Sequence, residues 1–309
     1  MSVEDVRNQK LDKFYTVPLV VDTCIDRLLT HFNKHKWDTW GTVIEPSAGN
    51  GSFLRKIDHR HLIPLDISPE HPDIVQQDFL VYEPPSDLNG GVGGPVLVIG
   101  NPPFGKGSSL AVKFFNHAST FAQTIAFIVP RTFRRTSVQN RLDLSFRLVF
   151  DEDISVKPCG FSPPMGVKCC FQIWEKSPRH EPAREVIKLP TTHVDWKFLP
   201  LGPLDPLTKQ PTPPPYGTVD FAVRAYGGKC GEIISEPDAI DKLRPKSWHF
   251  VKCTSSDRRF DKAELVQRFN SLDFSMCTDT ARQNSLGRAD LVLLYTCRYA
   301  IEHSSSSPL

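Results

Sequence analysis

The sequence predicts a doubly wound α/β protein: a mostly parallel seven-stranded sheet, followed by a small C-terminal α+β region. Three observations carry this expectation. Short apolar runs alternate with segments of helical spacing, the pattern of βαβ units that build a parallel sheet. The first run, in GTVIEPSAGNGSFLRKI, breaks into a turn of glycine, proline and serine before residues that can open a helix. A proline-rich stretch from Phe198 to Gly217 then separates this alternation from about eighty residues of mixed character.

Taken in order, the elements begin with a helix over Asp22–Phe32. Ile25, Leu28, Leu29 and Phe32 there fall at the i, i+3, i+4, i+7 spacing of one apolar face. GTVIEPSAGNGSFLRKI reads as strand, loop and helix, and HLIPLDIS as a second strand ending at Asp66. DIVQQDFL is a short third element around Asp78, and GPVLVIGNPPF a fourth strand with its loop. AVKFFNHASTF reads as a crossover helix, TIAFIVP as a fifth strand, FRLVFDEDIS as a sixth and KCCFQIWEK as a seventh. The stretch FLPLGPLDPLTKQPTPPPYG cannot continue a helix or a central strand, because proline lacks the backbone donor both require. The expected division is therefore a first domain over 1–197, a linker or extended loop over 198–217 and a second region over 218–301. In that region DKAELVQRFNSL is a helix candidate, and a disordered tail is expected over 302–309.

Composition limits the function classes. The chain has 309 residues, 39% hydrophobic and 23% charged, enough for a substantial core. With 37 basic against 35 acidic side chains, nothing in the bulk charge demands a polyanionic partner, so any basic surface must be local. The N-terminus carries acids and no long apolar segment, and no run reaches the ~18 residues of a membrane span. The expectation is a soluble intracellular protein without a membrane partner. Eight cysteines occur without a C-x-x-C pair; Cys169 and Cys170 read as packed thiols, and no metal site is expected.

Two loops hold the candidate chemistry. In EPSAGNGSF, Gly49 and Gly51 sit where a strand turns, and glycine there allows positive φ and close approach of backbone to a ligand. In an open α/β sheet this crevice at the carboxyl ends of the strands is where ligands bind. Leu54 stands where a dinucleotide fingerprint would have its third glycine, and Glu45 places a carboxylate near the loop, which repels a pyrophosphate and suits a cationic ligand. Asp66 is placed to accept hydrogen bonds from a ribose diol, and Asp78 with Phe79 to offer a polar contact and an apolar wall to an adenine ring. The plainer reading is an ordinary tight turn with solvated acids. The second loop, GNPPFG, follows an apolar strand with two residues that have no N–H to donate, so it presents acceptors.

KFYTVP, EPSAGNGSF, LDIS, QDFL and GNPPFG, in that order over about the first 180 residues, resemble the class I S-adenosylmethionine-dependent methyltransferases. Within them the resemblance is to the branch that methylates N6 of adenine in nucleic acids, with the motif order of its gamma group. The resemblance implies a Rossmann-like methyltransferase sheet, S-adenosylmethionine as cofactor and DNA or RNA as partner. It implies that Lys13, Phe14, Tyr15 and Thr16 close over the methionine end of the cofactor, that Glu45, Pro46, Gly49 and Gly51 line that part, and that Asp66 holds the ribose. Asp78 and Phe79 would hold the adenine. Asn101, Pro102, Pro103 and Phe104 form the catalytic tetrapeptide, with Asn101 also beside the cofactor. The sequence departs from the common pattern at Glu45, where Asp is more frequent, and at Phe104, where DNA adenine enzymes usually carry Tyr and RNA-modifying relatives more often Phe.

The chemistry explains these residue types. The exocyclic nitrogen of adenine is a poor nucleophile because its lone pair is delocalised into the ring. The Asn101 side-chain carbonyl and the Pro102 backbone carbonyl can accept the two amino hydrogens and favour a pyramidal nitrogen, while Pro103 restricts Pro102 to extended conformations. Phe104 can stack on the extruded base. Phe161 in CGFSPPMG is either the second face of a base sandwich or an ordinary loop aromatic. Arg131, Arg134 and Arg135 in PRTFRR are either phosphate contacts or a solvated basic turn. KSWHFVKCTSSDRRF mixes Lys246, Lys252, Arg258 and Arg259 with Trp248 and Phe260, as a nucleic-acid groove or a small packing domain would, with Arg258 and Arg259 as phosphate contacts. Methylation of a protein glutamine amide, and a catalytically silent relative that binds nucleic acid or a partner subunit, are the competing functions.

Overall fold

The computed structural model describes residues 14–33, 37, 40–85, 94–155, 159–178, 181, 183–254 and 261–304, the last five by backbone alone. The chain divides into two compact units, 1–187 and 188–309. The first opens with a short strand, β1 (Tyr15–Thr16), and helix α1 (Pro18–His31). Pro18 occupies the first helical turn, where its missing N–H costs nothing, so α1 starts four residues before the expected Asp22. Strands β2 (Thr42–Glu45), β3 (Leu62–Asp66), β4 (Val75–Gln76) and β5 (Val96–Gly100) follow. Helix α2 (Ser109–Ala118) leads to β6 (Thr124–Pro130), a one-turn helix α3 (Thr136–Gln139), β7 (Phe146–Asp153), β8 (Phe161–Ser162) and β9 (Cys169–Lys176).

Seven of these strands form one sheet in the order β4-β3-β2-β5-β6-β9-β7. The first five are parallel, and β9 inserts antiparallel between β6 and β7, so the sheet is mostly parallel as expected. Every residue of β5 and β6 is buried, which is why VLVIG and TIAFIVP read as unbroken runs rather than alternating ones. Helix α2 buries Ala111, Val112, Phe114, Phe115 and Ala118 against a core that includes Val98, Phe127, Phe133, Phe146 and Trp174. Burying each large side chain contributes about 1.5–3 kcal/mol. The helix expected after the glycine loop does not form. Residues 51–56 are turns: Arg55 N bonds Gly51 O at 3.1 Å, but Lys56 N bonds Phe53 O at 2.8 Å, three residues back, so no regular ladder develops.

The second unit holds β10 (Trp196–Phe198), β11 (Phe221–Arg224), β12 (Ile233–Ile234), α4 (Pro237–Ile240), β13 (Trp248–Cys253), α5 (Lys262–Asn270) and α6 (Arg288–Ser304). Its antiparallel sheet runs β10-β13-β11-β12, with Trp196, Phe221, Leu265, Phe269, Val292 and Tyr295 in its core. Asp261 caps α5 by accepting from Glu264 N at 2.9 Å.

Three expectations are corrected here. The chain divides at 187/188, not at 197/198, because β10 is already a strand of the second sheet. The proline-rich stretch lies inside the second unit: Leu199 N bonds Phe250 O at 2.8 Å, Gly202 N bonds Thr212 O at 2.9 Å, and Leu199 and Leu201 pack on the cluster containing Val219 and Phe250. Amides between the prolines, among them those of Asp205, Lys209 and Thr212, find backbone partners that the prolines cannot. Helix α6 also continues through Ser304, so 302–304 are helical and only 305–309 of the expected tail lie outside the described residues. Among the described residues no helix is long and apolar enough to cross a membrane, and no three His, Cys, Asp or Glu side chains cluster as metal ligands. Cys169 and Cys170 are buried thiols.

Candidate active site

The carboxyl ends of β2, β3 and β5 meet a cavity of about 600 Å³. Its walls include Phe14, Tyr15, Pro46, Ser47, Gly49, Asp66, Asp78, Phe79, Asn101, Pro103, Gly105 and Lys106. The sequence motifs, spread over 93 positions from Phe14 to Lys106, thus converge because consecutive parallel strands release their loops on one edge.

The glycine loop is held by the end of β3. Asp66 accepts from Gly49 N at 2.8 Å through one oxygen and from Ser68 N at 2.7 Å through the other, and Ala48 N bonds Leu65 O at 2.8 Å. Gly49 has φ +52°, and a Cβ there would lie 3.1 Å from the Tyr15 ring. Tyr15 is fixed in turn by its hydroxyl donating to Glu70 at 2.5 Å. Asp78 accepts from Leu80 N at 2.9 Å and caps the turn Phe79–Val81. The Phe79 ring is 1% exposed, lying 5.2 Å from the ring of Phe114, so the apolar wall is the edge of the core itself.

Glu45, Gly51 and Thr16 do not line the cavity. Glu45 is buried beneath it, 1% exposed, with one carboxylate oxygen unpartnered. Burial, with a smaller contribution from Asp66, pushes its pKa from 4.5 up to about 8, against the Leu54 N–H bond and Arg55. The carboxylate expected to face a cationic ligand is therefore a buried, mostly protonated acid near pH 7, and Asp66 and Asp78 supply the acids on the wall. The folded state binds more protons than the unfolded between the ordinary Glu value and about pH 8. Glu45 thus contributes stability that is fullest below that window and is lost as pH rises through it, by on the order of a few kcal/mol. Urea midpoints measured across this range should fall for the wild type and stay flatter for Glu45→Gln.

Asn101 is held from two sides. Its side-chain amide donates to Phe14 O at 3.0 Å, and its backbone carbonyl accepts the Ser47 hydroxyl at 3.0 Å. Its side-chain oxygen is buried and has no partner. Pro102 is buried and Pro103 lines the cavity. Phe104 packs partly on the core and does not line the cavity, while its carbonyl takes the Leu110 amide at 3.1 Å. Gly105 has φ +68°, and a Cβ there would come within 2.8 Å of Leu110 Cβ and 3.0 Å of Leu110 N. Gly105→Ala should cost about 1–3 kcal/mol, read as a lowered melting temperature.

The remaining candidates separate from the cavity. Phe161 is 4% exposed and pairs with Thr16 in the β1–β8 ladder, so it is a packing residue and not a face of the pocket. Arg131 bonds Asp153 at 2.6 Å, and Arg134 pairs with Asp151 and, at 2.9 Å, with Asp153. These β7 carboxylates pair with Arg131 and Arg134, and none of Arg131, Arg134 and Arg135 lines the cavity. In the second unit Trp248 and Phe250 are core residues and Lys252 pairs with Asp220 at 3.3 Å, which leaves that stretch of β13 without a stacking groove. Lys13, Arg258, Arg259 and Phe260 lie outside the described residues. Sequence reasoning passed over Lys106, whose only signal is its place directly after NPPFG.

No protein-family model and no curated protein matches the chain. Among solved structures it is similar to the 23S rRNA methyltransferase ErmE, with 20% identity and a TM-score of 0.40 over 56% of this chain and 72% of that one. It is also similar to a candidate RNA methyltransferase from Pyrococcus horikoshii, at 15% identity and TM-score 0.39 over 54% of this chain and 88% of that one. A candidate class I S-adenosylmethionine-dependent methyltransferase from Listeria monocytogenes matches at 15% identity and TM-score 0.39 over 55% and 62%.

Proposed function

We propose that this chain transfers a methyl group from S-adenosylmethionine to the exocyclic N6 amine of adenine in DNA or RNA. The observation that carries the reading is the Asn101 side-chain oxygen, a buried acceptor without a partner on a residue of the cavity wall. A buried polar atom left unpaired costs about 1–3 kcal/mol, and an amino hydrogen of the substrate would satisfy it. Because the Asn101 amide donates to Phe14 O, the oxygen is the side-chain group left to accept a substrate hydrogen. The Pro102 carbonyl takes the second amino hydrogen, and two acceptors on one nitrogen draw its lone pair out of the ring.

The residues present fit the cofactor. A cavity of about 600 Å³ is in the ordinary range for such a ligand. Asp66 and Asp78 offer carboxylates to a diol and an amine, Phe79, Leu80 and Phe114 offer an apolar face, and Gly49 leaves open the space a side chain would fill. The cofactor supplies an activated methyl group. Tyr15 and Phe14 wall its amino-acid end, and Asn101 positions the attacking amine, so rate comes from orientation and electrostatics rather than from a strong base.

Incubation with methyl-labelled cofactor and separate DNA, RNA and protein pools tests this. Label recovered as N6-methyladenine is the expected result. Label confined to protein glutamine would replace the substrate class, and cofactor binding without any transfer would make the chain a silent relative.

A further inference from the structure

Lys106 is exposed, lines the cavity that holds Asn101, and has no carboxylate partner among the described residues. That sets it apart from Arg131 and Arg134, whose charge is spent on Asp151 and Asp153. The backbone on either side also fixes where it sits. Gly105 at φ +68° is pinned against Leu110, and Gly107 at φ +59° and Ser108 at φ 61° continue in the left-handed region. Ser108, 3% exposed, is anchored to Thr132 at 2.7 Å. A turn built this way holds its one long cation at the rim, five residues from the acceptor.

The charge around the cavity is therefore divided. Asp66 and Asp78 stand on the wall built by β3 and the turn after β4, and Lys106 stands on the wall built by the loop after β5. An unneutralised ammonium beside a cavity attracts an anion, which is the cofactor's carboxylate or a phosphate of the substrate, since a free nucleobase or a protein amide offers none. Cofactor affinity in a Lys106 variant separates the two. We infer that Lys106 docks the phosphodiester next to the target adenine, which makes the substrate a nucleic-acid strand rather than a nucleoside or a protein. This rests on the adenine-N6 reading and adds its anchoring group.

The test uses the full chain and two probes, a single-stranded oligoribonucleotide and an oligodeoxyribonucleotide of the same sequence with one adenine. Binding is measured against salt for wild type, Lys106→Gln and Lys106→Arg, alongside cofactor affinity and melting temperature. If Lys106 neutralises one phosphate, Lys106→Gln lowers the slope of log affinity against log salt by about 0.7 on a single strand. KM for the oligonucleotide rises, cofactor affinity holds, and Lys106→Arg restores the slope. The probe with the steeper wild-type slope and the larger loss identifies the polymer. An unchanged slope in folded Lys106→Gln, with wild-type methyl transfer intact, overturns the assignment of Lys106 alone. A wild type that methylates neither probe nor any nucleic-acid pool overturns the adenine reading and this inference together.

Discussion

Asn101→Ala should lower the single-turnover rate of methyl transfer by about 100-fold or more, the usual cost of losing one positioned polar group aimed at the reacting centre. The substitution removes the only unpartnered buried side-chain acceptor on the cavity wall among the described residues. It also removes the amide that holds Phe14 O. The two losses can be told apart. The segment after Phe14 keeps its own anchors, because Tyr15 and Thr16 pair with Ser162 and Phe161, and Val17 N bonds Gly160 O at 3.0 Å. Calorimetric cofactor affinity should therefore change only a few-fold while turnover collapses. A rate near wild type would remove Asn101 from the chemistry.

Asp66→Ala is expected to weaken cofactor binding by about 30-fold or more, since a hydrogen bond to a charged group contributes roughly 1.5–3 kcal/mol and this carboxylate serves more than one. Besides facing the cavity, Asp66 fixes the amides of Gly49 and Ser68. Its loss takes an acceptor from the ligand and releases the loop that approaches it. Asp66→Asn keeps one acceptor oxygen but replaces the other with a donor, so it should fall between alanine and wild type. Equal affinity for wild type and alanine would move the ligand elsewhere.

Much of the first unit was legible because its central strands β2, β5 and β6 are fully buried and its loops carry residues with single physical uses. VLVIG can only be a covered strand, and prolines directly after it can only withdraw donors. What could not be read was pairing across the sheet. Arg131 and Arg134 looked available because Asp151 and Asp153 sit some twenty residues on, in β7, two places from β6 in the sheet across β9, and no local pattern shows that pairing. Glu45 looked like a ligand group because burial has no local signature in EPSAGNG; its depth depends on β3 and β5 closing over both sides. The proline-rich stretch misled for a related reason. Its composition reports missing donors, while the amides of Leu199, Gly202 and Thr212, which decide its place, are the residues between the prolines.

The β1–β8 ladder is two residue pairs long and shares no strand with the seven-stranded sheet. Local opening free energy scales with what must be broken, and here that is a few hydrogen bonds and the packing of Thr16 and Phe161, each 4% exposed, but no strand of the main sheet. The wall formed by Phe14 and Tyr15 is thus tied to the scaffold by that short ladder and by bonds to Asn101 and Glu70, not by a strand of the main sheet. A ligand seated behind this wall would then exchange by breaking those few local contacts, and its residence time would follow them rather than the stability of the whole sheet.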